Sequence, residues 1–464
     1  MRLFVDGVAE KMQKHHQRPS GIQRMNSAKH EGQQISKVLK EDESLTKHLM
    51  EKICEPSNLN QAYKRVKTNR GAAGIDGMTV DEMFAWIVKH KELLINSLLT
   101  GDYHPQPMLG VEIPKPGGKG IRQLGIPVAI DRLVQQAILQ VLDPIFDPTF
   151  SDFSYGFRAG RSAHQALKKA QEYVREGYEI VVDIDAEKFF DRVNHDILMS
   201  KLAKRIDDKR LLKIIRRFLE AGMMKQGVCH ERREGLAQGG PLSPLMSNVL
   251  LDELDKELEH RGHKFCRYAD DANVYVRSLR AGERVFQSVK LFLEKRLKLR
   301  VNEAKSGCAS VYDRKFLGYR LLSDGRLVIA DQSVKRMEDK VREVTWRNRG
   351  VSLEEVILEL NEKLRGWINY FRFTEWDSQV LELDSWIRRK LRCYRLKQRK
   401  QGKSIGSFLI KLGVSERNAR KLASSGKGWW RLSNSPPVNQ AMSNAWFDKQ
   451  GLISLTRQRA LYSV

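Results

Sequence analysis

The chain has 464 residues, of which 41% are hydrophobic, so it can bury a sizeable core and wholesale disorder is excluded. Lys and Arg number 82 against 57 Asp and Glu, and the resulting formal charge of +25 points to a polyanionic partner, with nucleic acid ahead of an anionic membrane surface. No apolar run approaches the roughly 20 residues that span a bilayer, and the first residues lack the apolar core of a secretory signal, so we expect a cytoplasmic protein without a membrane partner.

The cysteines and histidines exclude two further classes of protein. The five cysteines lie far apart and form no C-x-x-C pair, which argues against a disulfide framework and against a zinc knuckle. No histidine follows His263, so the remainder of the chain holds neither a histidine-based nuclease nor a Cys/His zinc site.

The first half of the chain alternates helical and strand-like patterns. Residues 1–44 are polar with little periodicity, and we predict a mobile basic extension there. Helical spacing begins at residue 45, is broken by a glycine-rich stretch, and resumes. Residues 111–128 predict a hairpin with a Pro/Gly tip, and residues 130–146 predict an amphipathic helix stopped by a proline.

Further strands and helices follow up to about residue 330. The segment 178–193, "YEIVVDIDAEKFFDRV", predicts a buried strand that ends at Asp185 and runs into a helix. "FCRYADDANVYV", residues 265–276, predicts two strands joined by a turn, and residues 314–330 predict a hairpin with a D-G turn. This mixture predicts an α/β or α+β core, and the chain after it is nearly all helical.

A strongly basic strip lies in the helical part. Residues 387–431 contain 15 Lys or Arg and one acidic residue, together with Trp429 and Trp430. Such a strip suits binding to a nucleic-acid backbone, with the tryptophans as stacking partners. A solvated helix face with two core tryptophans is the alternative.

Carboxylates are the main candidates for chemistry. Side chains alternate along a strand, so Asp183 and Asp185 share one face, while Asp270 and Asp271 sit at a hairpin tip. If the two strands are neighbours, Asp185, Asp270 and Asp271 meet at one sheet edge. Mutually repelling carboxylates need cations, Mg²⁺ prefers such hard oxygen ligands, and two such ions suit an in-line phosphoryl displacement.

The alternative reading of each stretch stays open at this point. A D-D pair in a turn is commonly solvated, and on its own that is the better interpretation. The apolar flanks of the pair, the basic excess of the chain and an upstream hairpin in which Lys115 and Arg122 bracket "PGGKGI" shift the balance, because these cations suit a triphosphate. That hairpin is otherwise a solvated glycine turn, and Gln238-Gly239-Gly240 is either a tight turn or a place where a base pair approaches the backbone.

The order and spacing of these stretches resemble a reverse transcriptase. More narrowly, the chain is similar to the bacterial group II intron-encoded reverse transcriptase/maturase of the compact kind that lacks an endonuclease domain. The resemblance covers about residues 48–462 and rests on "GAAGIDGMTV", "YGFRAGRSAHQAL", "GLAQGGPLSP", "CRYADDANVYV", "KFLGYRL", "LRGWINYF" and "GLISL". The family's "TPQGG" is "LAQGG" here, its "GFRPGR" is "GFRAGR", and the fingers tip is one residue longer.

The resemblance implies a right-hand polymerase with an α/β (α+β) fingers and palm region, a mixed or antiparallel palm sheet and an all-α thumb. The implied divisions are an extension at 1–44, fingers and palm at 45–328, thumb or maturase region at 329–400 and a basic DNA-binding region at 401–464.

The resemblance also implies a role for individual residues. Asp185, Asp270 and Asp271 are the catalytic carboxylates that bind two Mg²⁺ ions, with Mn²⁺ as a possible substitute. The dNTP contacts are Lys115, Arg122, Phe190, Gln238 and Gly239, with Phe190 as the gate that excludes a ribose 2′-OH. Phe316, Leu317, Gly318 and Tyr319 match the primer grip. The expected nucleic-acid contacts are Arg158, Lys305, Arg388, Arg389, Lys390, Arg392, Lys397, Arg399, Lys400, Trp429 and Trp430.

The implied function is RNA-templated DNA synthesis from a DNA primer and dNTPs, together with binding of a group II intron RNA, help in its splicing, and retrohoming into a DNA target. Two alternatives remain: a maturase-type RNA chaperone with an idle polymerase site, and a host-adapted reverse transcriptase in phage defence or DNA repair. Intact Asp185, Asp270 and Asp271 argue against an idle site.

Overall fold

The computed structural model describes Thr46, residues 48–114 and residues 120–462. The predicted extension at 1–44 therefore lies outside the described residues, as does Lys115. The described residues divide into two compact units, those up to 166 together with 182–308, and 167–181 together with those from 309 onward.

The helices of the first unit form wherever apolar residues recur at helical spacing. They are α1 (Leu49–Cys54), α2 (Pro56–Asn69), α3 (Met83–Leu99), α4 (Ala129–Phe146), α5 (Ala163–Arg175), α6 (Phe189–Arg192), α7 (His195–Leu202), α8 (Lys209–Glu220), α9 (Ser243–His260) and α10 (Leu279–Phe292). Helix α5 crosses into the second unit after Ala166, so most of its residues belong to that unit. In α4, Pro144 lies inside the last turn rather than after it, and the helix ends two residues later.

Two four-stranded sheets accompany these helices. Their strands are β1 (Met108–Pro114), β2 (Ile121–Ile126), β3 (Ile180–Asp185), β4 (Met223–Lys225), β5 (Val228–His230), β6 (Lys264–Tyr268), β7 (Asp271–Val276) and β8 (Gly307–Ser310). One sheet has the order β2-β1-β4-β5 and the other the order β6-β7-β3-β8. Strands β3 and β8 pass through division points of the two units.

The predicted hairpin at 111–128 is present, because β1 and β2 pair antiparallel from Leu109↔Ile126 to Pro114↔Ile121. Strand β4 adds to β1 in parallel and pairs antiparallel with β5, so this sheet is mixed. Gln226 and Gly227 join β4 to β5, and both have positive φ (48° and 83°), as a tight two-residue turn requires. The predicted mixed α/β core is thereby confirmed.

The second unit begins with a small sheet and continues as helices. Its strands are β9 (Lys315–Phe316), β10 (Tyr319–Leu321) and β11 (Leu327–Ile329), in the order β11-β10-β9. The helices are α11 (Asp331–Val344), α12 (Leu353–Tyr370), α13 (Asp377–Gln398), α14 (Gly402–Lys411), α15 (Glu416–Ala423), α16 (Trp429–Leu432), α17 (Pro436–Ala441), α18 (Asn444–Lys449) and α19 (Leu455–Ala460). The predicted D-G turn joins β10 to β11, and the predicted helical character of this region is confirmed.

Helix ends in the second unit are fixed by polar caps. Ser352 and Glu355 form a reciprocal capping box at the start of α12. Near the C-terminus, the buried Asp384 of α13 accepts hydrogen bonds from the Ser454 hydroxyl (2.8 Å) and the Leu455 amide (2.9 Å) at the start of α19. The "GLISL" stretch is therefore held against α13 by directed hydrogen bonds.

Across the described residues, none of the helices combines the length and the apolar character that crossing a membrane requires.

A buried carboxyl at the start of α4 leads to a prediction about pH. Asp131 is 1% exposed and accepts hydrogen bonds from the Tyr103 hydroxyl (2.6 Å) and the Gln106 amide (3.0 Å). Burial raises its pKa to about 7 despite these donors. The folded protein therefore holds a proton that the unfolded chain has released, so Asp131 lowers stability progressively as pH rises from about 4 to about 7.

We expect Asp131→Asn to remove this part of the pH dependence, because the asparagine side chain has no charge to bury. The Tyr103 hydroxyl can turn to accept a hydrogen bond from its amide group. Thermal unfolding midpoints of both proteins measured between pH 5 and 8 test this. The midpoint of the variant should rise relative to that of the parent protein as pH rises. Parallel curves for the two proteins would contradict the prediction.

Candidate active site

Asp185 is the last residue of β3. The strand buries Val182 and Ile184 on one face, so Asp183 and Asp185 share the other. Backbone contacts fix this end of the strand: the Asp185 amide donates to the Ser306 hydroxyl (2.8 Å), and the Asn302 amide donates to the Asp185 carbonyl (2.8 Å). The Asp185 carboxylate is partly exposed and lies 3.3 Å from the ammonium of Lys305.

Asp270 and Asp271 lie on the hairpin of β6 and β7, which is the strand pair next to β3. The two strands pair antiparallel up to Tyr268↔Asp271, so Ala269 and Asp270 form a two-residue turn and Asp271 begins β7. Because β7 is the direct neighbour of β3, the predicted meeting of the two carboxylate-bearing strands is present in the structure.

The charges of Asp185 and Asp270 act on each other. The carboxylate of Asp270 is accessible to solvent, yet the protein packed around it raises its pKa, and the negative charge of Asp185 raises that pKa further. The positive charges of Arg122 and Arg267 act in the opposite direction. The site therefore holds two carboxylates that repel each other and gain from a nearby cation.

The donor chemistry at this edge fits a divalent metal ion. Asp185 and Asp270 supply hard oxygen atoms of the kind that Mg²⁺ prefers, and their mutual repulsion is the interaction that such an ion relieves. Within the part of the chain that the structure describes, three or more acidic, histidine or cysteine side chains do not gather closely enough to form a complete metal cluster. The described geometry thus brings two of the three predicted ligands into electrostatic contact, with Asp271 adjacent in sequence.

Phe190 lies on the short helix α6 that follows β3. Its carbonyl accepts a hydrogen bond from the Leu236 amide (2.6 Å), and its ring meets the buried ring of Phe189 edge-on at 5.3 Å. The ring of Phe190 itself is half-buried. Its backbone is therefore fixed against the "LAQGG" loop, five residues after Asp185.

The "LAQGG" loop is tied in turn to β2. The Gln238 carbonyl accepts from the Gly125 amide (3.0 Å), and a Cβ on Gly239, where φ is 127°, would lie 2.8 Å from the Gly125 carbonyl oxygen. Only glycine suits that close approach and that backbone angle. Arg122 is exposed on the same strand, three residues before Gly125, and its charge reaches Asp270.

The predicted primer-grip residues form a tight turn in the second unit. Leu317 and Gly318 both have positive φ (52° and 82°) and join β9 to β10, whereas Phe316 and Tyr319 are buried. The Tyr319 hydroxyl donates to the Tyr370 carbonyl (2.6 Å), and the Tyr370 hydroxyl donates to the Leu317 carbonyl (2.7 Å). The turn is thus braced by helix α12.

Most of the predicted basic contacts of the second unit have partners within the protein. Arg392 is buried and donates to the Met442 carbonyl (2.9 Å), and Arg388 lies 3.6 Å from the Asp384 carboxylate. The guanidinium of Arg389 lies 3.9 Å from the ring centroid of Trp430 and the ammonium of Lys390 lies 5.0 Å from it.

The ring of Trp430 is 37% exposed, and Trp429 is half-buried. The guanidinium of Arg399 lies 4.5 Å from the ring of Phe408, the ammonium of Lys397 donates to the Arg347 carbonyl (3.1 Å), and Lys400 is exposed.

Two predicted nucleic-acid contacts of the first unit have other partners. Arg158 is buried, pairs with Asp147 at 2.6 Å and donates to the carbonyls of Ser151 and Ser154, an arrangement that favours a structural role. Lys305 pairs with Asp185, which places its charge at the candidate active site.

Arg267 is a residue of this region that sequence reasoning did not predict. It lies in β6, is 1% exposed and donates to the Ala269 carbonyl inside the Asp270 turn (2.7 Å). The available signal was a charged side chain within the apolar run "FCRY".

Comparison with known proteins agrees with this geometry. The family described as "Reverse transcriptase (RNA-dependent DNA polymerase)" matches residues 113–321, and the family described as "Group II intron, maturase-specific domain" matches residues 334–410. Both families thus match in the order that the sequence predicted.

Individual relatives carry the same resemblance. Protein YkfC of Escherichia coli (strain K12) is 32% identical over 315 residues, which are 59% of this chain and 82% of YkfC. The group II intron-encoded protein LtrA of Lactococcus lactis subsp. cremoris is 35% identical over 237 residues, which are 51% of this chain and 39% of LtrA. This chain thus matches most of the first relative and less than half of the second. The chain belongs to the reverse transcriptase family of RNA-dependent DNA polymerases, and a group II intron maturase-specific domain follows its polymerase part.

Proposed function

We propose that this protein is the RNA-directed DNA polymerase and maturase of a group II intron. In the polymerase reaction, the 3′-hydroxyl of a DNA primer attacks the α-phosphate of a dNTP on an RNA template, and pyrophosphate leaves. The observation that carries the proposal is the electrostatic coupling of Asp185, at the end of β3, with Asp270, in the turn that leads into the neighbouring strand β7.

The roles of the residues follow from their positions. Asp185 and Asp270, with Asp271 beside them, would hold Mg²⁺, for which we expect two ions with Mn²⁺ as a substitute. When bound, such ions stabilise the charge on the transferring phosphoryl group. Arg122, exposed on β2 and electrostatically coupled to Asp270, would bind the triphosphate, as would Lys115. Most of the catalysis in this scheme is positioning and electrostatic stabilisation.

The maturase part of the proposal rests on the second unit. The maturase-specific family matches residues 334–410, which include the whole of the basic helix α13. We propose that this unit binds the intron RNA, assists its splicing, and contacts the DNA target during retrohoming. LtrA carries the description of a group II intron-encoded protein, which supports an intron as the cognate RNA.

Primer extension on an RNA template tests the polymerase activity. The full chain with a DNA primer, dNTPs and Mg²⁺ should yield full-length DNA, and omission of the metal should abolish it. A protein that binds the template without extending the primer would instead be a maturase with an idle site. A splicing assay with the intron that flanks the gene tests the maturase role, and the lack of any such flanking intron would favour a host-adapted enzyme.

Sugar selection at Phe190 gives a second test. We expect Phe190→Ala to lower the preference for dNTPs over rNTPs by roughly tenfold or more, because removing the ring would leave room for the additional hydroxyl. Single-nucleotide incorporation kinetics with dCTP and CTP measure the preference. Phe157→Ala is the matched control, since that ring is 47% exposed in the same unit. Equal sugar selection in the parent protein and Phe190→Ala would refute the gate role.

A further inference from the structure

The turn that carries Asp270 contains a strained backbone position. Ala269 adopts φ of 59°, in the left-handed region that costs a residue with a Cβ roughly 1 kcal/mol. A two-residue hairpin turn with positive φ at its first position favours glycine there. The surroundings must therefore determine its shape.

Arg267 is the most prominent of these surroundings. Its side chain is 1% exposed, although a buried charge is costly unless it is paired and hydrogen-bonded. Its guanidinium donates to Asp255 (2.6 and 2.7 Å), the Ser154 hydroxyl (2.7 Å), the Asn248 side chain (3.0 Å) and the Ala269 carbonyl (2.7 Å).

Each of the five N–H groups of the guanidinium thereby has a hydrogen-bond acceptor. Asp255 is fully buried and neutralises the charge. A buried ion pair of this kind is weak support for stability, since well-packed apolar residues commonly serve as well. What apolar residues would not supply is the donor to the Ala269 carbonyl, the residue immediately before Asp270.

A second contact holds the turn from its amide side. Asn248, which accepts from Arg267, donates through its side-chain amide to the Gly156 carbonyl (2.9 Å). Gly156 lies so close to the turn that a Cβ there would be 2.1 Å from the Ala269 nitrogen. The same hydrogen-bond network therefore donates to the Ala269 carbonyl and holds the Gly156 backbone against the Ala269 nitrogen.

We propose that Arg267 is a positioning residue for Asp270. Through the Ala269 carbonyl, its guanidinium holds the turn in the conformation that presents the Asp270 carboxylate to the metal, so metal binding depends on a side chain that does not touch the metal. This inference rests on the proposed role of Asp270 as a metal ligand.

The test uses Arg267→Lys in the full chain. Lysine keeps a positive charge beside Asp255, but a single ammonium cannot also span to the Ala269 carbonyl and Ser154. We expect faster hydrogen exchange in the peptide 265–276 of the metal-free protein. We also expect the Mn²⁺ concentration at half-saturation, measured by electron paramagnetic resonance, to rise roughly tenfold, as for other residues that support metal ligands.

Two further variants keep the result interpretable. Leu211→Ala truncates a fully buried side chain of α8 and serves as the stability control, because it should lower the unfolding midpoint without changing Mn²⁺ binding. Asn248→Ala removes one partner of Arg267 and leaves the Asp255 pair intact, so hydrogen exchange in the peptide 265–276 should become faster to a smaller extent. This variant covers the case in which Arg267→Lys does not fold.

The outcomes separate the inference from the function on which it rests. If Asp270→Asn leaves Mn²⁺ binding unchanged, the metal role of Asp270 fails and the inference with it. If Asp270→Asn weakens Mn²⁺ binding while Arg267→Lys and Asn248→Ala bind it as the parent protein does, the positioning role is overturned and the metal site stands. Slower hydrogen exchange or unchanged exchange in 265–276 would equally overturn it.

Discussion

Replacing Asp270 by asparagine should lower the rate of primer extension by roughly a thousandfold. Metal-ion catalysis supplies several kcal/mol of charge stabilisation, and each 1.4 kcal/mol is a factor of ten. Asparagine is close in size to aspartate but carries no charge, so the repulsion with Asp185 that favours a cation disappears. Single-turnover extension of a DNA primer on an RNA template measures the rate.

Asp196→Asn is the matched control for this result. Its carboxylate is 82% exposed, lies in the same unit and pairs only across the surface with Arg216. That variant should extend primers at the parent rate, while both variants should bind the RNA–DNA duplex and unfold near the parent midpoint. Parent-like extension by Asp270→Asn would remove Asp270 from the catalytic assignment.

Replacing Gly156 by alanine should destabilise the first unit and impair catalysis together. The additional methyl group would lie 2.1 Å from the Ala269 nitrogen and 2.9 Å from the Tyr268 carbonyl carbon. Both atoms belong to the backbone, which cannot swing away as a flexible side chain does. We expect a loss of about 1–3 kcal/mol in the free energy of unfolding, the usual cost of overpacking, with a fall in the extension rate because the turn shifts.

Urea unfolding and primer extension measure the two effects. Ala159→Ser is a suitable control, since it adds one heavy atom to an exposed position of the same loop. Gly156→Ala with parent-like stability and parent-like extension would show that the loop accommodates the methyl group and that the described packing is wrong.

Local patterns were sufficient to predict much of the polymerase part. The β-branched run that ends at Asp185, the aromatic strands around Asp270 and the Pro/Gly tip of the β1–β2 hairpin each specify one element. The alternation of side chains along β3 then places its carboxylates on one face. That β7 lies beside β3 was conditional at the level of the sequence, because strand order depends on contacts far apart in the chain.

The interactions that hold the site were beyond such reasoning. Arg267 finds its partners in Ser154, Asn248 and Asp255, and no spacing rule connects these positions. The pairing of Lys305 with Asp185 likewise depends on how β8 folds back beside β3. For Trp430, composition favoured base stacking only slightly over core packing, whereas the structure places two cations of α13 against a partly exposed ring.

The strand order in both sheets of the first unit bears on how the chain folds during its synthesis. One edge of β1 at Met108–Pro114 has no partner strand until β4 at Met223–Lys225 has been synthesised. Strand β3 likewise has no partner until β7, whose last residue is Val276, has been synthesised. Domains fold as they emerge from the ribosome, N-terminal segments first, and unpaired strand edges are sites of aggregation. A nascent chain that stops before residue 223 therefore exposes unpaired edges on both β1 and β3, and the sheet that carries Asp185 and Asp270 is complete only when β8, which ends at Ser310, has emerged.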